Sequence, residues 1–160
     1  MCIIGLKCRR LLITGLLLFL VCVTVNADPR ALKELSGVLV VILTDDSVPA
    51  LVNARDAIQT DVELRLRMAG IRVLTAQPSN TPRLVVGAFW NDNKSAFLIH
   101  VTLVETVLLA RNPGIKVEAT TWQKVGGGGG SQYLDIRSVR SIIKDAMDEL
   151  LNQWLASNPK

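Results

Sequence analysis

The feature that most restricts how this chain can fold is a change of apolar period near its first third. Gly37 to Leu43 reads Gly-Val-Leu-Val-Val-Ile-Leu, an unbroken apolar run rich in β-branched residues. Such a run suits a strand covered on both faces, or nearly so. Thr44, Asp45, Asp46 and Ser47 end it, and Pro49 cannot continue a ladder. The period then becomes helical. Ala54, Ile58, Val62, Leu66 and Ala69 recur at spacings of four and three, which stacks them on one face. Asn53 offers a cap, with Asp56 three residues on. Asp56, Asp61 and Glu63 precede Arg65 and Arg67, an order that suits the helix dipole. Gly70 supplies a left-handed stop, and Ile71 to Thr75 alternates as a short strand. Strand, helix and strand in this order predict a parallel pair joined by a right-handed crossover.

The middle of the chain predicts antiparallel structure. Gln77 to Pro82 has loop composition, and Arg83 to Trp90 reads as a strand. Asn91, Asp92, Asn93 and Lys94 form a hairpin turn. Ser95 to Ala110 is too long to run straight, so a bend or bulge is expected near Glu105. Its alternation puts Phe97, Ile99, Val101 and Leu103 on one face, and Leu98, His100, Thr102 and Val104 on the other. Asn112-Pro113-Gly114 has turn chemistry, and Lys116 to Lys124 returns as a strand. Gly126 to Gly130 reads as a flexible, exposed linker. A final helix carries Ile136, Val139, Ile143, Met147, Leu150 and Trp154 on one stripe, with Asp135 as its cap and Asn158-Pro159 as its stop. The expected class is α+β, a two-layer sandwich of order β-α-β-β-β-β-α. Its sheet is mixed, mostly antiparallel, with both helices on one face. The single α/β domain covers 37–157, after a flexible segment at 28–36.

Residues 1–27 differ from the rest. Lys7, Arg9 and Arg10 precede an apolar run from Leu11 to Val25, and Val25-Asn26-Ala27 has small or aliphatic residues where a signal peptidase reads. That pattern is a secretory signal, cleaved between Ala27 and Asp28. Two other fates compete. A retained membrane anchor would need roughly 20 apolar residues, and the run is shorter. Acylation of Cys22 would need a small residue before it, where bulky Val21 stands. The expected location is the periplasm or the exterior, with no membrane span after cleavage.

Cleavage changes the charge account. The chain has 18 basic and 14 acidic residues, net +4. Losing Lys7, Arg9 and Arg10 leaves 15 against 14 and a net charge of +1. A nucleic-acid binder should keep a basic face, so nucleic acid is not an expected partner. Cys2, Cys8 and Cys22 all leave with the signal, so the remaining body has no disulfide and no cysteine-ligated metal.

No residue set assembles a recognisable catalytic centre. His100 is the single histidine, too few for the usual nitrogen-rich metal site, and no nucleophile–base–carboxylate arrangement accompanies it. The glycine run lacks the Lys-Ser/Thr pair of a phosphate loop; Ser131-Gln132-Tyr133 comes after it instead. No cofactor is expected. Asp45 and Asp46, at the carboxyl end of a parallel strand, are the candidate ligand or cation site, and equally the ordinary turn that ends a strand. Trp90, His100, Thr102 and Trp122 are the candidate interface. Alternation places Trp122 beside Glu118 and Thr120, on a sheet face that no helix of the chain covers. Trp90 and Trp122 read equally well as core.

The stretch from Gln59 to Ile71, the pair Thr121-Trp122 before the glycines, and the amphipathic helix closing at Asn158-Pro159 resemble a family of secreted bacterial proteins, a domain of unknown function. The resemblance implies a signal peptide and one small domain, with no assigned activity or catalytic residue. More loosely, the element order is similar to small periplasmic lipoproteins that assist envelope assembly and export. The functional expectation is a non-catalytic interaction domain that binds protein, a second copy or an envelope partner. The alternative is a small-ligand or cation binder, possibly enzymatic, at Asp45 and Asp46.

Overall fold

The computed structural model describes residues 32–45, 48–76, 80–91, 96–129 and 136–159. The expected signal at 1–27, Asp46, the expected turn at Asp92 to Lys94 and the expected cap Asp135 lie outside the described residues.

Among the described residues, five strands and two helices occur in the expected order. They are β1 (Gly37–Thr44), α1 (Pro49–Ala69), β2 (Arg72–Val73), β3 (Arg83–Trp90), β4 (Ala96–Leu109), β5 (Asn112–Gly129) and α2 (Ile136–Ser157). They form one sheet of order β2-β1-β3-β4-β5. β1 pairs in parallel with β2 and β3, while β3–β4 and β4–β5 are antiparallel. The α+β class and the mixed sheet are as the residue pattern predicts.

Both helices lie on one face. The α1 stripe Leu51, Ala54, Ile58, Val62 and Leu66 and the α2 stripe Val139, Ile143, Ala146, Met147 and Leu150 are buried. They meet the inward residues of the sheet, Val38, Val40, Ile42, Leu84, Val86, Ala88, Ile99, Val101 and Leu103. The two helices run parallel. Asp61 meets Arg140 at 2.6 Å, and one turn further along α1 and two along α2 Arg65 meets Asp148 at 2.6 Å.

The boundaries differ from expectation in four places. α1 begins at Pro49, not after Asn53, because proline is pre-organised for the first helical turn. Gly70, at φ 97°, ends it as expected. The segment before β1 is not loose over its described part: Leu32 and Leu35 are core residues. Asn158 holds it, accepting from the Glu34 N–H at 2.9 Å and donating to the Leu32 carbonyl at 3.0 Å. The β4–β5 turn sits at Ala110–Arg111, one step before Asn112. Asn112 Oδ1 instead accepts from the Gly114 N–H inside β5.

The glycine run is the fourth difference. Gly126 to Gly129 is not a linker but the last part of β5, paired with Ile99, Leu98, Phe97 and Ala96. The reason is close packing. A Cβ on Gly126 would lie 2.7 Å from Ile142 Cγ2 on α2, and one on Gly128 would lie 2.9 Å from the Phe97 ring. Glycine lets the helix and an aromatic ring settle onto backbone.

Candidate functional site

The face opposite the helices is open and can be read row by row from the register. Leu43, Gly87, His100 and Val125 lie side by side across β1, β3, β4 and β5. The next row is Val41, Val85, Thr102 and Gln123, and the third is Leu39, Arg83, Val104 and Thr120. On the other side of the His100 row stand Phe89, Leu98 and Gly127. Leu98 is 49 % exposed and Val125 51 %, with Leu43 and Phe89 close behind. Sheets that face water normally alternate apolar inward and polar outward. Here β1 is apolar on both faces, and β3 nearly so. The chain supplies no second layer over this surface among the described residues.

Of the four residues expected there, the structure keeps two and removes two. His100 and Thr102 lie on the open face, with His100 Nδ1 3.3 Å from Thr102 Oγ1. Trp122 does not. The register shifts between Leu103 and Val104, where Leu103 faces Trp122 but Val104 faces Thr120. Thr121 is therefore an extra residue, a β-bulge, and it reverses the alternation beyond it. Trp122 turns inward to 2 % exposure, and its Nε1 donates to Gln153 Oε1 of α2 at 2.9 Å. The expected bulge exists close to Glu105, but on the facing strand, where the Thr121 hydroxyl donates to Glu105. Trp90 also turns to the helix side. It packs at the edge of the core against Phe97, ring centroids 5.9 Å apart.

Asp45 ends β1 as a turn residue. Its N–H donates to the Ala88 carbonyl at 3.2 Å and its carbonyl accepts from the Val48 N–H at 3.0 Å. Among the described residues no cluster of three or more His, Cys, Asp or Glu side chains could hold a metal.

The sequence alone does not reveal what lies beneath His100. Its ring occupies the space where Gly87 has no side chain: a Cβ there would fall on Nε2 and Cδ2. The ring leans on Phe89, centroids 5.5 Å apart and planes tilted by 35°. Nε2 is buried with no hydrogen-bond partner among the described residues. Burial holds the imidazole below its ordinary pKa of 6.5. Gly87 reads in sequence as an ordinary strand residue; only the cross-strand register pairs it with His100.

A second concavity, about 900 Å³, runs between α1 and α2. Leu64, Met68 and Leu155 are exposed along it, and the Arg65–Asp148 and Arg140–Asp61 pairs span it. No helix among the described residues is long and apolar enough to cross a membrane.

No family model and no curated protein matches this sequence. Among solved structures, the chain is similar to the PelC dodecamer from Paraburkholderia phytofirmans. The identity is 15 % over 78 % of this chain and 87 % of that one, with a TM-score of 0.40.

Proposed function

We propose that this is an exported, non-catalytic accessory domain that docks through its open sheet face onto a second copy of itself. The observation that carries the reading is the apolar field of Leu39, Val41, Leu43, Val85, Phe89, Leu98, Val104 and Val125 on a surface without a covering layer among the described residues. Three considerations favour a second copy as the occupant. A flat apolar sheet is complementary to another flat apolar sheet, and two such faces pack at about 10 Å in sandwiches. A two-fold axis lets one patch serve both partners. Arg83 and Glu118 at the rim pair at 2.6 Å, so these two send no net charge against the twin.

The size also fits. Four strands about 4.8 Å apart and four rows about 6.7 Å apart give roughly 500 Å² per copy, or about 1,000 Å² for the pair. That is at the lower edge of specific interfaces, so the expected association is weak to moderate. The basic and apolar pattern at 1–27, read as an export signal, and the resemblance to a secreted family support an extracytoplasmic setting.

Sedimentation equilibrium of the purified protein tests this, beside Leu98→Lys/Val125→Lys. Wild type should dimerise in the micromolar range and the double variant should be monomeric with its unfolding midpoint nearly unchanged, since both side chains already face water. A monomeric wild type, or a dimer indifferent to both lysines, would exclude this face.

A further inference from the structure

We propose that His100 is a proton-operated gate on the docking face. Its neutral ring sits over Gly87 and completes the apolar surface; its protonated ring must lift out of that seat and break the surface. This deepens the docking reading above and rests on it.

The seat is shaped for an uncharged ring. An imidazolium carries two N–H donors. One can turn to Thr102 Oγ1, but the other would be Nε2–H, which is buried and has no acceptor among the described residues. This holds for either neutral tautomer, because protonation makes donors of both nitrogens. An ionised donor shut away from water and acceptors is costly, so the charged ring is driven outward. Outward means into the middle of the face, between Leu43, Leu98 and Val125, where it would stand against the apolar surface of a partner.

The residues flanking His100 on β3, β4 and β5 carry no charge, and the carboxylate on the β1 side is Asp45, one step past Thr44 at the strand's end. The outward residues beside His100 are Val85, Gly87 and Phe89 on β3, Gln123 and Val125 on β5, and Leu98 and Thr102 on β4 itself. None titrates. Lys124, next to Val125, belongs to the helix side and pairs with Glu149 at 2.8 Å. Arg83 stands two rows away and Glu118 three, and they hold each other.

A two-fold dimer contains the gate twice. Below the titration point, each site weakens association about tenfold per pH unit, so the pair weakens it by up to about a hundredfold. The response lies in the range where histidine alone among ordinary side chains changes charge.

His100 is the sole histidine, so in an untagged protein all imidazole signals in the NMR spectrum belong to one ring. Two measurements run together between about pH 7.5 and about pH 5. One is the dimer dissociation constant for wild type and His100→Phe. The other is the imidazole titration for wild type and Gly87→Ala, whose added methyl evicts the ring. Wild-type association should weaken at least tenfold on acidification, and His100→Phe should show less than a twofold change. The wild-type ring should titrate below 6.5, and Gly87→Ala should return it to the ordinary range. A pH response that persists in His100→Phe, or a wild-type ring titrating at 6.5 or above, overturns the gate. An association that ignores pH overturns the gate and leaves the docking face standing. A chain monomeric at both pH values overturns the docking reading, and the gate's regulatory role with it.

Discussion

Replacing Gly127 with alanine separates two accounts of the glycine run by the sign of a stability change. In a linker, the substitution should be neutral or stabilise by about 0.4–1 kcal/mol, because alanine restricts the unfolded chain. In β5 the outcome reverses. A Cβ on Gly127 would lie 2.5 Å from the carbonyl oxygen of Phe97, which is backbone of the paired strand and cannot rotate away. The ladder itself must open. Overpacking of that kind costs about 1–3 kcal/mol, and the entropy gain offsets less than half of the upper value. The expected net loss is about 1–2 kcal/mol, or roughly 3–10 °C in unfolding midpoint for a domain of this size. Gly114→Ala serves as the control, because its Cβ meets just Asn112 Oδ1, at 3.3 Å, at an exposed position near the start of β5. Thermal and urea unfolding of both variants decide the matter. A Gly127→Ala protein as stable as wild type, or more so, would refute the claim that close packing holds these glycines in the sheet.

Two other contacts set further expected outcomes. Trp122→Ala empties a site that is 2 % exposed and takes the indole donor from Gln153 Oε1, so it should cost about 3–5 kcal/mol by urea unfolding; Trp122→Phe, which keeps most of the volume, should cost under half of that. Because burial lowers the His100 pKa, the unfolded chain binds the proton more readily than the native one. Stability is therefore full above pH 6.5 and falls as pH drops from there towards the lowered native value. Unfolding midpoints at low protein concentration between about pH 7.5 and about pH 5 should fall more steeply for wild type than for His100→Phe.

The order of elements is legible because helical and strand periods are strong signals: the Ala54–Ala69 stripe and the Phe97–Leu103 alternation both survive in the fold. Phase is less legible than period. Alternation assigns Trp122 to the wrong face because one unpaired residue, Thr121, reverses every side chain after it, and a bulge leaves no mark in composition. The glycines mislead because strand propensity rewards side chains that fill a pleat, whereas here Phe97 and Ile142 need the pleat empty. Leu32 and Leu35 read as isolated apolar residues in a polar stretch; their burial depends on Asn158, more than a hundred residues away in sequence. His100 can be placed on the open face from alternation alone. Its seat cannot, since Gly87 becomes its neighbour through strand register.

Asn158 has a consequence for how the domain can be handled and attached. By gripping Leu32 and Glu34 it brings the described start and finish of the polypeptide to one pole, and Trp154 Nε1 adds a bond to the Leu35 carbonyl at 3.0 Å. Tags, tethers or fused partners joined at either end of the domain would radiate from that pole, and a short peptide could join the two ends into a circle. New ends opened between β3 and β4, after Trp90 at the other end of the sheet, would then free that extremity for fusion while the grip at Asn158 stays intact.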